Sequence, residues 1–135
     1  MSTEPLLHSA ITQQVIDTFY QVFDELGYGF LESVYEKAMY IALTDLGLEV
    51  QRQARVKVYF RGHVVGVFKT DLLVVDRVAC EIKAAREIDS SHEAQLLNFL
   101  RSSELEVGLL LHFGPKPKFR RLVYGNTRKF VPGGG

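Results

Sequence analysis

Asp71-Leu72-Leu73-Val74-Val75-Asp76-Arg77-Val78-Ala79-Cys80-Glu81-Ile82-Lys83 is the stretch on which the reading of this chain turns. Asp71 to Val75 and Val78 to Lys83 read as two strands joined at Asp76-Arg77. Residues two apart on a strand point to the same side, so Glu81 and Lys83 project together while Ile82 faces the opposite way. Glu and Lys are rarely buried unless paired or functional. Asp71 opens the preceding strand, and register decides whether it joins them. A two-residue turn at Asp76-Arg77 sets Asp71 opposite Ile82, on the wrong face. A three-residue connection, Val75 to Arg77, sets it opposite Glu81 with Cβ atoms about 5 Å apart. Two carboxylates that close repel each other unless a cation lies between them, and a hard divalent ion suits carboxylate and water ligands. The plainer alternative is a surface salt bridge of Lys83 to Glu81 or Asp71 at a strand end.

Upstream of that stretch, Leu7, Ile11, Val15, Phe19, Val22, Phe23 and Leu26 recur at helical spacing and predict a helix over 6–26. Gly27-Tyr28-Gly29 breaks it. A second helix is expected over about 30–46, with Leu31, Val34, Ala38, Ile41 and Ala42 inward and Gly47 as its stop. From Val50 the period is two. Strands are expected to Phe60 and over 64–70, joined by a tight turn at Arg61-Gly62-His63. Downstream, a helix from about Ser91 to Arg101 opens with capping-box spacing between Ser90 and Glu93. Val107–Phe113 reads as a buried strand and Phe119–Tyr124 as the last one. The order α-α-β-β-β-β-α-β-β implies an α/β fold, a mixed β-sheet flanked by α-helices. Two of those helices are N-terminal. The third would be a right-handed crossover between the parallel strands 78–83 and 107–113.

The 135 residues fit one domain over 1–130, and the ending Val131-Pro132-Gly133-Gly134-Gly135 reads as a flexible tail. No apolar run is long enough to span a bilayer, and no basic-then-apolar leader opens the chain, so a cytoplasmic protein without a membrane partner is expected. Cys80 is the single cysteine, which excludes an internal disulfide and a cysteine-based zinc site. Net charge is zero but polarised. Residues 1–50 hold eight Asp/Glu against Lys37, and residues 51–135 hold eight acids against fifteen Lys/Arg. The segments Arg52 to Lys69 and Lys116 to Lys129 are wholly basic. Such a chain is a weak non-specific binder of nucleic acid overall but can present one basic face; two solvated faces of opposite sign are the plainer account.

An Asp on one strand, Glu-x-Lys on the next and a following helix that carries Gln together resemble the PD-(D/E)XK nuclease superfamily. Gly29-Phe30-Leu31-Glu32-Ser33-Val34-Tyr35 matches G-x-x-E-x-x-Y, the signature of the GxxExxY family grouped with it. The similarity runs through Tyr59-Phe60-Arg61-Gly62, the segment His92 to Leu100 and the segment Gly108 to Gly114, and covers roughly residues 8–125. It implies a restriction-endonuclease-like fold and a metal-dependent nuclease that hydrolyses phosphodiester bonds of DNA or RNA. Asp71 and Glu81, with Glu32, would hold Mg²⁺ (or Mn²⁺). Lys83 would be catalytic and Gln95 would brace the centre. Thr70 replaces the motif's proline, and Phe99 replaces a tyrosine four residues after Gln95. Glu32 can also be read as a first-turn acid that complements the helix dipole, and Tyr35, one turn on, either orients Glu32 or plugs the core. His92 reads as a partly exposed helix residue, and His8, His63 and His112 form no recognisable ligand set. Lys116, Lys118, Arg120 and Arg121 are candidates for phosphate contact or for a charged strand edge. The implied partner is nucleic acid, DNA foremost, and a homodimer would permit paired cuts. The competing reading is a catalytically silent nucleic-acid-binding or protein-interaction module that retains the fold.

Overall fold

A computed structural model describes residues 7–129, so the tail expected at 131–135 lies outside the described residues. Helix α1 spans Ser9–Leu26 and α2 spans Glu32–Asp45. Strands β1 (Val50–Phe60), β2 (His63–Val74) and β3 (Val78–Lys83) follow, then α3 (Ser90–Arg101), β4 (Val107–Phe113) and β5 (Pro117–Val123). The strands form one sheet in the order β1-β2-β3-β4-β5. Only the β3–β4 pair is parallel, and α3 makes the crossover between them. Among the described residues no helix is long and apolar enough to cross a membrane.

The apolar periodicity of α1 is realised: Val15, Phe19 and Val22 are buried, with Ile11, Phe23 and Leu26 packed around them. α2 turns inward a face that overlaps the expected one only at Ala38 and Ala42, which pack against the core. Tyr35, Met39 and Leu43 are fully buried, while Leu31 is 76% exposed and Val34 and Ile41 also face solvent. Apolar residues stand on both sides of this helix, so its periodicity is ambiguous. The ring of Tyr35 decides the side, stacking on Phe113 at 4.1 Å. The Tyr35 hydroxyl donates to Gly27 O and accepts from Phe30 N–H. It thereby pins the Gly27–Phe30 turn, where both Gly27 and Gly29 have positive φ. Gly47 ends α2 as expected, with φ 84° and its N–H on Thr44 O.

The α1/α2 side of the sheet is covered by Leu72, Val74, Val78, Cys80, Ile82, Leu109, Leu111 and Phe113. The other side packs Ala79 and Leu110 against Leu96, Phe99 and Leu100 of α3. α3 is capped by Asp89, whose carboxylate accepts from Ser91 N–H at 2.9 Å; the expected cap, Ser90, is the first helical residue.

The two strands expected at 64–70 and 71–75 are one strand, β2. A change of face in the middle accounts for the apparent break. Phe68 stacks on Phe99 of α3 at 4.2 Å, whereas Leu72, four residues on and so expected on the same side, lies in the α1/α2 core. Val56 and Val50 of β1 divide in the same way. The switch falls between Ala54↔Thr70 and Arg52↔Leu72, where the ladder skips Gln53 and Asp71 and Gln53 has φ 51°.

Gly114 ends β4 beside the buried ring of His112, whose Nε2–H donates to Ala85 O. A Cβ on Gly114 would lie 2.5 Å from that ring and 3.2 Å from the Arg86 carbonyl. Gly114→Ala is therefore expected to lower stability by about 1–3 kcal/mol, read as a fall in melting temperature. An unchanged melting temperature would show that the His112 corner yields without strain.

Candidate active site

The β2–β3 connection has three residues, Val75 to Arg77, with Val75 and Asp76 both at φ 54°. It pairs Val74 with Val78, Leu73 with Ala79 and Leu72 with Cys80. One step further the same register sets Asp71 across from Glu81. There the backbone ladder gives way to side chains. Asp71 N–H donates to Glu81 Oε2 at 3.1 Å, and Ile82 N–H donates to Asp71 Oδ2 at 2.7 Å. The Thr70 hydroxyl donates to Glu81 Oε2 at 2.8 Å. Each carboxylate is thus seated on the backbone of the other's strand, and the two are held side by side.

Burial first, and then the neighbouring Asp71 charge, raise the pKa of the Glu81 carboxyl from 4.5 to about 7. The bonds from Thr70 and Asp71 N–H and the charge of Lys83 act in the other direction. Desolvation plus a like charge is the signature of an anionic pair short of positive charge. Lys83 lies half-buried two residues on, and its ammonium makes no hydrogen bond or ion pair among the described residues. The salt-bridge alternative does not occur. Cys80, in the core behind Glu81, has its thiol pKa pushed far up by burial and is no nucleophile.

Glu32 is the first residue of α2, and its Oε2 accepts from Ala84 N–H at 3.2 Å, just past Lys83. It reaches the end of β3 from the α2 side without touching the Asp71–Glu81 pair. Among the described residues no three His, Cys, Asp or Glu groups converge as a ready-made metal cluster. Two adjacent carboxylates do suit a small hard cation, which keeps most of its water and binds through one or two carboxylates.

Two supporting residues, Glu36 and Gln53, escaped the sequence reading, and a third, Thr70, entered it only as a departure from the motif. Glu36, one turn after Glu32, is buried and paired with Arg52 at 3.1 Å. Gln53 donates its amide both to Glu36 Oε1 and, at 3.3 Å, to Asp71 Oδ1. Thr70, in the motif's proline position, holds Glu81. Glu36 was findable as the next helical position on the Glu32 side. Gln53 carries no signal, since its reach to Asp71 depends on a left-handed backbone.

Gln95 is exposed on α3 without a hydrogen bond to Asp71, Glu81 or Lys83. Lys116, Lys118 and Arg120 line one cavity of about 480 Å³ with Arg86, Glu93 and His112. Arg120 is tied to Glu93 at 3.0 Å. Arg121 is set apart from them: it donates to Leu7 O, and burial lowers its pKa.

Comparison with curated proteins gives no match. Among solved structures the crystal structure of SSO0001 is similar, with a TM-score of 0.51 and 16% identity over 67% of this chain. That likeness is one of fold, and the chain spans 48% of the length of SSO0001. The pattern of the PD-(D/E)XK nuclease superfamily matches residues 9–122, a span that contains Glu32, the Asp71–Glu81 pair, Lys83 and all five strands except the last residue of β5. By that match over most of its length, this chain belongs to the PD-(D/E)XK nuclease superfamily.

Proposed function

We propose that the chain is a metal-dependent nuclease that hydrolyses phosphodiester bonds at the Asp71–Glu81–Lys83 notch. The observation that carries this reading is the seating of two carboxylates on each other's strands beside a lysine with no acid of its own. Superfamily membership supports it, since such nucleases generally use divalent metals. Asp71 and Glu81 would hold Mg²⁺ or Mn²⁺, with Glu32 beyond the end of β3. The ion, when bound, supplies charge for the phosphoryl oxygens and a more acidic water. Lys83 orients the attacking water and neutralises the negative charge that builds on phosphorus-bound oxygen. The water oxygen adds in line and gives up a proton to solvent, the ester P–O bond breaks opposite it, and the leaving oxygen takes up a proton from solvent. Gln53 is a positioning residue that holds the Asp71 carboxylate, and Glu36 holds Gln53.

A cleavage assay over a panel of DNA and RNA substrates with Mg²⁺ or Mn²⁺ tests the reading. Lys83→Ala is expected to slow cleavage about 10²–10⁴-fold; cleavage at the parent rate overturns it. Gln53→Ala is expected to weaken Mn²⁺ binding about 10–100-fold by titration, with the fold retained by circular dichroism. Unchanged Mn²⁺ affinity would remove Gln53 from the site. A silent binding module that keeps the fold predicts neither cleavage nor stabilisation by metal.

A further inference from the structure

The β1–β2 hairpin beyond Gln53 and Asp71 is not used by the reaction above. From Gln51 to Thr70 it contains Arg52, Arg55, Lys57, Arg61, Lys69 and His63, and no Asp or Glu. Arg55 stands directly opposite Lys69, and Lys57 opposite Val67. Directly opposed like charges destabilise a ladder, and neither Arg55, Lys57 nor Lys69 has an ion pair among the described residues. Glu104 shares a groove with Arg55 and Lys57 but pairs with neither. At the tip Arg61 and Gly62 make the turn with positive φ, and the Arg61 guanidinium stacks on Phe60 at 4.9 Å. Phe60, Val65 and Val67 are 57%, 61% and 58% exposed. From Asp71 to His63 the strand runs about 27 Å at its usual rise.

We propose that this hairpin is a nucleic-acid-binding arm: a two-stranded ribbon that lies in a groove of duplex DNA and leads the backbone to Asp71. Charge complementarity selects the occupant. Unpaired cations spaced along a ribbon neutralise successive phosphates, which removes the Arg55–Lys69 repulsion, and a ribbon of this width fits the major groove. The exposed apolar tip with the stacked guanidinium contacts base edges or sugars. The proposal takes from the nuclease reading only that the substrate is nucleic acid, and its test needs no cleavage.

Binding of a fluorescent DNA duplex of about 20 base pairs is measured by anisotropy in EDTA across a salt series. The triple variant Arg55→Gln/Lys57→Gln/Lys69→Gln is expected to bind at least about tenfold more weakly and to lower the slope of log Kd against log salt by up to about 2.7. It should melt no lower than the parent, because a repulsive pair is gone. Phe60→Ala is expected to weaken binding without a change of slope. An unchanged slope and affinity in the triple variant overturns the proposal, as does a parent protein that does not bind the duplex. A change of molecular mass on gel filtration in the triple variant also overturns it, since the arm is then an interface between copies. Duplex binding with these effects, but without cleavage in Mg²⁺, leaves the arm standing and sinks the nuclease reading.

Discussion

Asp71→Ala is expected to reduce Mg²⁺-dependent cleavage by at least about 10³-fold, because a metal site contributes several kcal/mol to the transition state and each 1.36 kcal/mol is a factor of ten. The substitution removes one carboxylate of the pair and the contact of Gln53. It also leaves Ile82 N–H without its acceptor. That lost bond costs about 1–3 kcal/mol, while release of Glu81 from a like charge acts the other way, so the variant should fold. Single-turnover rates beside a circular-dichroism melt separate the two effects. Cleavage that survives in a folded Asp71→Ala protein would place the chemistry elsewhere.

The second large effect is a coupling of pH, metal and stability through Glu81. Its pKa lies near 7 in the folded chain against 4.5 for an ordinary glutamate, first from burial and then from Asp71. Between those values the folded state holds a proton that the unfolded state has released, so unfolding free energy falls as pH rises. The loss is absent below about pH 4.5 and complete above about pH 7, and amounts to about 3 kcal/mol. A divalent cation reverses it by favouring the ionised pair. Added Mg²⁺ should therefore raise the melting temperature little at pH 5 and by several degrees at pH 8, on the order of 10 °C if the whole penalty is recovered. Glu81→Gln should abolish that increment and, without metal, melt above the parent at pH 8. A parent protein whose metal-free stability is flat from pH 5 to 8 contradicts the origin assigned to the shift.

The α/β architecture was legible because alternation and helical periodicity are strong where one face is buried, as in α1 and in the apolar run of β4. The parallel β3–α3–β4 step followed from the same patterns. The register at Asp71 could be narrowed only to two options. The deciding feature is the left-handed backbone of Val75 and Asp76, two residues without the glycine that would have advertised it. The merging of two expected strands into β2 has a related cause, since the change of face at Asp71 looks like a strand end. The inward face of α2 was misassigned because Leu31, Val34 and Ile41 are as apolar as the stripe that Tyr35 carries into the core. At the candidate site, the shared face of Glu81 and Lys83 was readable from the alternation of the strand, whereas the place of Asp71 hung on the register. Gln53 was not readable, because its role arises from the meeting of three elements. Gln95, expected beside the centre, is exposed and forms no bond to it.

Titration of Mn²⁺ into the metal-free protein at pH 8, followed by calorimetry, tests the central claim most directly. Saturable binding by the parent that disappears in both Asp71→Ala and Glu81→Gln is the expected result. Equal binding in parent and variants would contradict it.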